Sequence, residues 1–234
     1  TEEKRLLYLD SDTIIDGSIE ELFTMELSKP LYMVIDIMWD FYKEKLGLNK
    51  SSYYFNGGLI LYNLDVWRKE NCAERYLDYL QHCNKQYVLG DQDITNVLFN
   101  EQIGVLDLKY NYYSNYYLIN PKYMKSAVGV DESNYYSGEE MEEAKKSVAI
   151  YHCAKYNGER VWDKKNNHPF SEIYNKYKSI SYWKNEEGWT SNKSKVIKIQ
   201  LLLQRCLPHR IYIIFLRKAQ KQYFKNNEIL LNQN

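Results

Sequence analysis

Apolar positions in this chain come in short runs, and most of the runs stop at a polar or charged residue. Residues 6–9 (LLYL) read as a buried strand that ends at two aspartates one residue apart, Asp10 and Asp12. The Gly17-Ser18 turn leads into a short helix over residues 19–23. After Pro30, residues 31–36 (LYMVID) form a second apolar run closed by Asp36. Residues 53–64 (YYFNGGLILYNL) are strand-like with a Gly-Gly interruption. Asp65 is placed to cap a helix reaching about Asn84, with Trp67, Ala73, Tyr76, Leu77 and Leu80 largely on one face. Gly90-Asp91 opens a second helix, DQDITNVLF, with Asp91 as its expected N-cap. Residues 103–108 read as a strand, and the Tyr/Asn-rich residues 110–123 as a long ordered loop or irregular strands. A charged helix over residues 139–146 precedes a strand, residues 148–152, that ends in His152.

Strands and helices alternate, which predicts an α/β fold with a largely parallel sheet. In such sheets ligands bind at the carboxyl ends of the strands. Asp10, Asp12, Asp36 and His152 all fall at predicted strand ends, so one site is expected there. The character changes over residues 190–227. Nine Lys/Arg (Lys193, Lys195, Lys198, Arg205, Arg210, Arg217, Lys218, Lys221 and Lys225) stand among Ile and Leu runs, with no Asp or Glu. Pro208 is expected to split this tail into two helices. Residues 1–185 are expected to form the main domain and residues 186–234 a basic amphipathic helical extension.

The 234 residues carry 31 Lys+Arg and 31 Asp+Glu, so the formal charge is zero and general nucleic-acid binding is disfavoured. A hydrophobic content of 44% is enough for a packed core. Cys72, Cys83, Cys153 and Cys206 have no CxxC spacing and are expected to be reduced, buried thiols. The sequons at Asn49 and Asn192 matter only in a secreted chain. No apolar run approaches the roughly 18 residues of a membrane span. The basic, aromatic tail instead suits peripheral attachment to anionic lipid. The chain opens at Thr1 and enters a strand within a few residues, so a preceding segment is expected.

Asp-x-Asp arises by chance in many proteins, and its context decides its meaning. Two carboxylates two positions apart after a strand can turn toward one hard cation. An imidazole from another strand end can complete the shell, and mixed oxygen and nitrogen ligation suits Mn²⁺. His152 is the best placed of the four histidines. It is followed by Lys155, Gly158, Arg160 and Trp162, a cationic, Gly-containing loop of the kind that grips phosphate.

Four blocks, LYLDSDTIIDGSIEELF, YYFNGGLILYNLDVWR, GDQDITNVLF and YHCAKYNGERVW, in that order and spacing, resemble glycosyltransferase family 8 over residues 4–162. The resemblance implies a GT-A fold and retaining transfer from a UDP-sugar with Mn²⁺ or Mg²⁺. It implies that Asp10, Asp12 and His152 hold the metal and that Asp36, Asn56, Gly57 and Gly58 contact the donor sugar. Asp91 and Gln92 correspond to the pair beneath the reacting carbon. The family's last block tends to read His-x-x-Gly-x-x-Lys-Pro-Trp. Here a longer insert separates His152 from Arg160-Val161-Trp162, so Arg160 takes the lysine's place on the diphosphate and the equivalences of Lys155 and Gly158 stay open. A uridine-binding βα segment lies ahead of the Asp-x-Asp strand in the family, which fits the abrupt start at Thr1. Galactose or glucose is the expected sugar, and a glycan or lipid-linked molecule at the inner, cytoplasmic face of a bacterial membrane is the expected acceptor. Two other readings compete: a haloacid-dehalogenase-like phosphatase with Asp10 as nucleophile, and a non-catalytic membrane-surface protein.

Overall fold

The computed structural model describes residues 2–83, 87–117, 122, 124–164, 166–190 and 193–231. Asn84, where the first long helix was expected to end, and the Asn192 sequon lie outside them. The elements run β1 (Arg5–Leu9), β2 (Thr13–Ile15), α1 (Glu20–Thr24), β3 (Leu31–Ile35), α2 (Asp40–Leu46), β4 (Phe55–Asn63), α3 (Leu64–Lys69), α4 (Cys72–His82), α5 (Asp91–Phe99), β5 (Ile103–Val105) and β6 (Tyr112–Tyr113). They continue as α6 (Met124–Val128), α7 (Gly138–Lys146), β7 (Ile150–His152), α8 (Ser171–Ile180), α9 (Lys195–Cys206) and α10 (His209–Leu231).

Two sheets organise the described residues. The larger has strand order β1-β4-β3-β5, and the smaller β2-β7-β6. β3 is buried along its whole length, as expected of an apolar run with no polar alternation. Met33, Leu59, Leu61 and Ile103 are fully buried around it. Each such side chain contributes roughly 1.5–3 kcal/mol relative to exposure.

The sheet is mixed rather than largely parallel. β4 pairs antiparallel with both β1 and β3, while β3 and β5 are parallel. β1, β3 and β5 therefore point one way, as the alternation predicts, and β4 runs against them. The chain leaves β3, turns through α2 and returns between β3 and β1, so β4 is reversed. The reversal brings the start of β4, with Asn56, Gly57 and Gly58, to the edge where β1 and β3 end.

Three local expectations change. β1 is an edge strand among the described residues, and Leu6 and Tyr8 are exposed. The helix after β4 is two helices, because Asn71 adopts a left-handed conformation (φ 51°) between α3 and α4. Its cap is Asn63, whose side chain accepts from the Val66 N–H, rather than Asp65. Of the cysteines, Cys72 and Cys153 are buried, Cys83 is partly buried and Cys206 is exposed; no disulfide joins them.

Candidate active site

The two sheets meet at the carboxyl ends of β1 and β3. Asp10 follows β1, and its N–H donates to the Gly58 carbonyl at 2.9 Å, which ties it to β4. Asp12 immediately precedes β2. Its carbonyl accepts from the Cys153 N–H at 2.7 Å, and Thr13 pairs in register with His152 across the β2–β7 ladder. Tyr113 of β6 flanks His152 on the other side. These pairings bring residues 140 positions apart together without relying on long side chains.

His152 Nε2 lies 3.3 Å from an Asp12 oxygen and 3.7 Å from an Asp10 oxygen. One ligand atom from each of the three residues lies within 4.8 Å of the others. The other imidazole nitrogen is fixed by a chain of hydrogen bonds. The Gly58 N–H donates to Asn56 Oδ1 at 2.9 Å, so this oxygen is an acceptor. Asn111 Nδ2 donates to the same oxygen at 2.8 Å. Asn111 Oδ1 then faces His152 Nδ1 at 3.0 Å, which assigns the proton to Nδ1. That leaves Nε2 to face the two carboxylates, as a lone pair where a metal ion is bound and as the N–H that bonds Asp12 where none is. Three acceptors converging this way need a cation between them, either a proton or a metal ion. The donor set, two carboxylate oxygens and an imidazole oriented by an outer amide, fits Mn²⁺ or Mg²⁺.

Gly58 makes this arrangement possible. A Cβ there would sit 2.2 Å from His152 Cε1 and 2.5 Å from Nδ1. The same network reaches the residues expected to face the donor sugar. Asn56 Nδ2 donates to Asp36 at 2.9 Å, and Gln92 Nε2 donates to the same carboxylate oxygen at 3.3 Å. Gln92 Oε1 accepts from the Gly57 N–H at 2.8 Å. Asp36 is buried, and burial pushes its carboxyl above the usual range, opposed by the hydrogen bonds from Asn56, the Ile37 N–H and Gln92. Asp12 moves the other way: its hydrogen bond with His152 holds it below the usual range despite burial, and Arg160 adds to this. Tyr8 donates to Asp10 at 2.8 Å, and this bond to a carboxylate pushes its hydroxyl up to about 12.

Not every expected residue joins this network. Asp91 is exposed, is the first residue of α5 and not its cap, which is Gly90, and accepts from the Gln92 N–H. Arg160 donates to Asp12 Oδ2 at 3.0 Å from the open side. Lys155 is exposed and makes no hydrogen bond or ion pair to a described residue. Gly158 lies in the Asn157-Gly158 turn, where both residues have positive φ, as a type I′ turn requires. It packs under Ile197 of α9, not against Asp12 or His152.

The description "Glycosyl transferase family 8" matches residues 1–166. The chain belongs to glycosyl transferase family 8. Among relatives of this family 8 chain, it is similar to general stress protein A of Bacillus subtilis (strain 168), 24% identical over 183 residues, covering 77% of this chain and 60% of the relative. It is 34% identical over 112 residues to a lipopolysaccharide 1,2-glucosyltransferase of Escherichia coli, covering 45% of this chain and 33% of that one. The chain thus spans less than two thirds of either relative. In fold it resembles the galactosyltransferase LgtC, solved with donor and acceptor sugar analogues, with a TM-score of 0.55 at 24% identity over 75% of this chain and 61% of that one. The fold is of the GT-A type. Family membership displaces the phosphatase reading.

Sequence reasoning missed Asn111, which lies in a Tyr/Asn-rich stretch without periodicity. It also missed Asp93, which is fully buried beneath the site and accepts from the Tyr42 and Tyr54 hydroxyls and the Leu89 N–H. The signal for Asp93 was its place one turn into an apolar helix, where an unpartnered carboxylate would be costly.

Proposed function

We propose that this family 8 chain takes part in retaining transfer of a hexose from a UDP-sugar to a glycan or lipid-linked acceptor. The observation that carries the reading is the convergence of Asp10, Asp12 and Nε2 of His152, one hydrogen-bonded network away from Asp36 and Gln92. Asp10, Asp12 and His152 would hold the divalent ion, and a bound ion supplies positive charge to a leaving diphosphate. Arg160 reaches the same place from the solvent side, and its guanidinium suits phosphate oxygens. Asp36 and Asn56 offer an acceptor and an amide to sugar hydroxyls. The Gln92 amide is held on both sides, by the Gly57 N–H and by Asp36, and an amide is a weak nucleophile. Same-face attack by the acceptor follows, with Gln92 and Asp36 facing the positive charge that develops on the ring. A glycosyl-enzyme adduct trapped on Gln92 and seen by mass spectrometry would contradict this step.

The test is UDP release from a panel of UDP-hexoses with Mn²⁺, Mg²⁺ or EDTA, compared with an Asp12→Asn variant. Metal-dependent release from one preferred sugar, lost in the variant, is the expected result. Release that ignores metal and variant alike would sink the proposal.

The tail adds membrane attachment to the same reading. No helix among the described residues is long and apolar enough to cross a membrane. The outward faces of α9 and α10 expose Val196, Ile199, Leu202, Ile211, Ile214 and Phe215 beside Lys195, Lys198, Arg210 and Lys218. Such a face suits the surface of an anionic bilayer, to which each basic residue contributes about 1 kcal/mol. Equal co-sedimentation of the intact chain with neutral and anionic vesicles would argue against it.

A further inference from the structure

Beside the candidate active site lies a cavity of about 300 Å³. Its inner wall is Asp36, Asn56 and Gln92. Its outer wall comes from the far end of the chain: Gln200 on α9, and Tyr212, Leu216, Gln220 and Phe224 on α10. α10 is tied in place there. Arg217 donates to both oxygens of Asp40, at 2.7 and 2.8 Å, and to the Ala127 carbonyl at 2.7 Å. The Phe224 ring lies 4.1 Å from that of Tyr42.

The lining has a definite chemistry. Asp36 is its one carboxylate, and no described Lys, Arg or His joins it. The nearby cations of α10 are committed elsewhere: Arg217 to Asp40, and Lys221 to the Phe41 ring face, with its nitrogen 5.3 Å from the centroid. What remains is neutral and amphipathic. Gln200 donates to the Tyr212 hydroxyl at 3.4 Å, while the Gln220 amide makes no hydrogen bond to a described residue. Trp39 and Phe224 line the same cavity. Apolar rings sharing a cavity with an unspent amide match a sugar, which has C–H faces and a rim of hydroxyls. A volume at the low end of the roughly 300–1,000 Å³ typical of small-molecule sites suits one or two sugar rings.

We infer that α9 and α10 complete the acceptor subsite, and that Gln220 and Tyr212 select a neutral sugar over an anionic one. The inference rests on the proposed transfer reaction. The inner wall, nearest the metal cluster, is left to the donor sugar. The outer wall then meets the acceptor. A uronate or phosphorylated sugar would bring its charge toward Asp36 with no cation in the lining to offset it.

The test titrates the full chain, by ligand-observed NMR, with methyl glucoside, methyl galactoside, methyl N-acetylglucosaminide and methyl glucuronoside. At least one neutral glycoside is expected to bind about ten-fold tighter than the glucuronoside. Gln220→Ala should weaken that neutral glycoside. Gln220→Lys should reverse the preference between the neutral glycoside and the glucuronoside, a gain that a merely structural role for Gln220 does not produce. Matching unfolding midpoints check that both variants are folded. Absence of saccharide binding, equal binding of the glucuronoside, or an unchanged ratio in Gln220→Lys would overturn the inference. UDP release from UDP-hexoses, read on the same protein, separates the two claims. If release persists but the Lys variant leaves the ratio unchanged, only this inference falls. If the charge preference holds but metal-dependent release is absent, the proposed transfer falls.

Discussion

Gly58 has no side chain at the point where the His152 ring needs room. The Cβ of a Gly58→Ala variant would overlap ring atoms at 2.2 Å, and the Gly58 backbone is tied to the Asp10 N–H. The substitution is expected to weaken Mn²⁺ binding about 10–100-fold, the range seen when the support of a ligand is lost. Titration followed by electron paramagnetic resonance checks it, and unchanged affinity would count against His152 as a ligand. Asn111→Ala acts by a different route. It leaves the ring in place but removes the acceptor that holds the proton on Nδ1, so both tautomers become available. Mn²⁺ binding should weaken about ten-fold, with the unfolding midpoint falling much less than affinity does. The two variants differ in how far the sequence announced them. Asp10, Asp12, Asp36 and His152 were visible because each ends an apolar run, and Gly58 because a Gly-Gly pair interrupts a strand. Asn111 was not, since its value comes from an oxygen facing a ring 41 residues away and one amide among many leaves no local pattern.

The tail splits at Pro208 into α9 and α10, as its sequence predicts, but its docking depends on a pair separated by 177 positions. Arg217 meets Asp40 in a two-point contact, and both side chains are largely shielded from solvent. Burial alone would raise the Asp40 carboxyl, yet the hydrogen bond from Arg217 and the Phe41 N–H leaves it below the usual range. Arg217→Ala removes both bonds and the one to Ala127. A loss of about 1–3 kcal/mol is expected in urea unfolding, with faster proteolysis inside α10. A resistant α10 in that variant would show that the helix is held by its apolar face alone. The direction of β4 was hidden for a related reason. Apolar runs give the position of a strand but not its sense, which depends on how the chain returns through α2. The split between α3 and α4 was concealed too, because the apolar positions continue past Asn71 and only its left-handed backbone breaks the helix.

At the scale of the whole molecule, one buried histidine outside the site sets a pH dependence. His168 Nε2 donates to the Ala154 carbonyl at 2.9 Å, and Nδ1 accepts from the Phe170 N–H at 3.1 Å, so the ring is held neutral. Burial lowers its pKa below the ordinary 6.5. The unfolded chain therefore takes up the proton first as pH falls. Stability is complete above about pH 6.5 and declines below it until the folded-state pKa is reached. Thermal midpoints between pH 7.5 and about 5 should fall, and a His168→Gln variant should lose part of that slope. A slope unchanged in the variant would assign it to other groups. The GT-A arrangement was legible at this scale because strand-end carboxylates and a strand-end imidazole came in the family's order. The acceptor side was not, because it is assembled from the end of the chain folding back over the middle. Asp10, Asp12 and His152 are proposed to hold a divalent cation. The most direct measurement is a Mn²⁺ titration of the chain by electron paramagnetic resonance, which requires neither donor nor acceptor. One saturable site, lost in both Asp12→Asn and His152→Ala, is the predicted result. No site, or a site that survives both substitutions, would contradict the account.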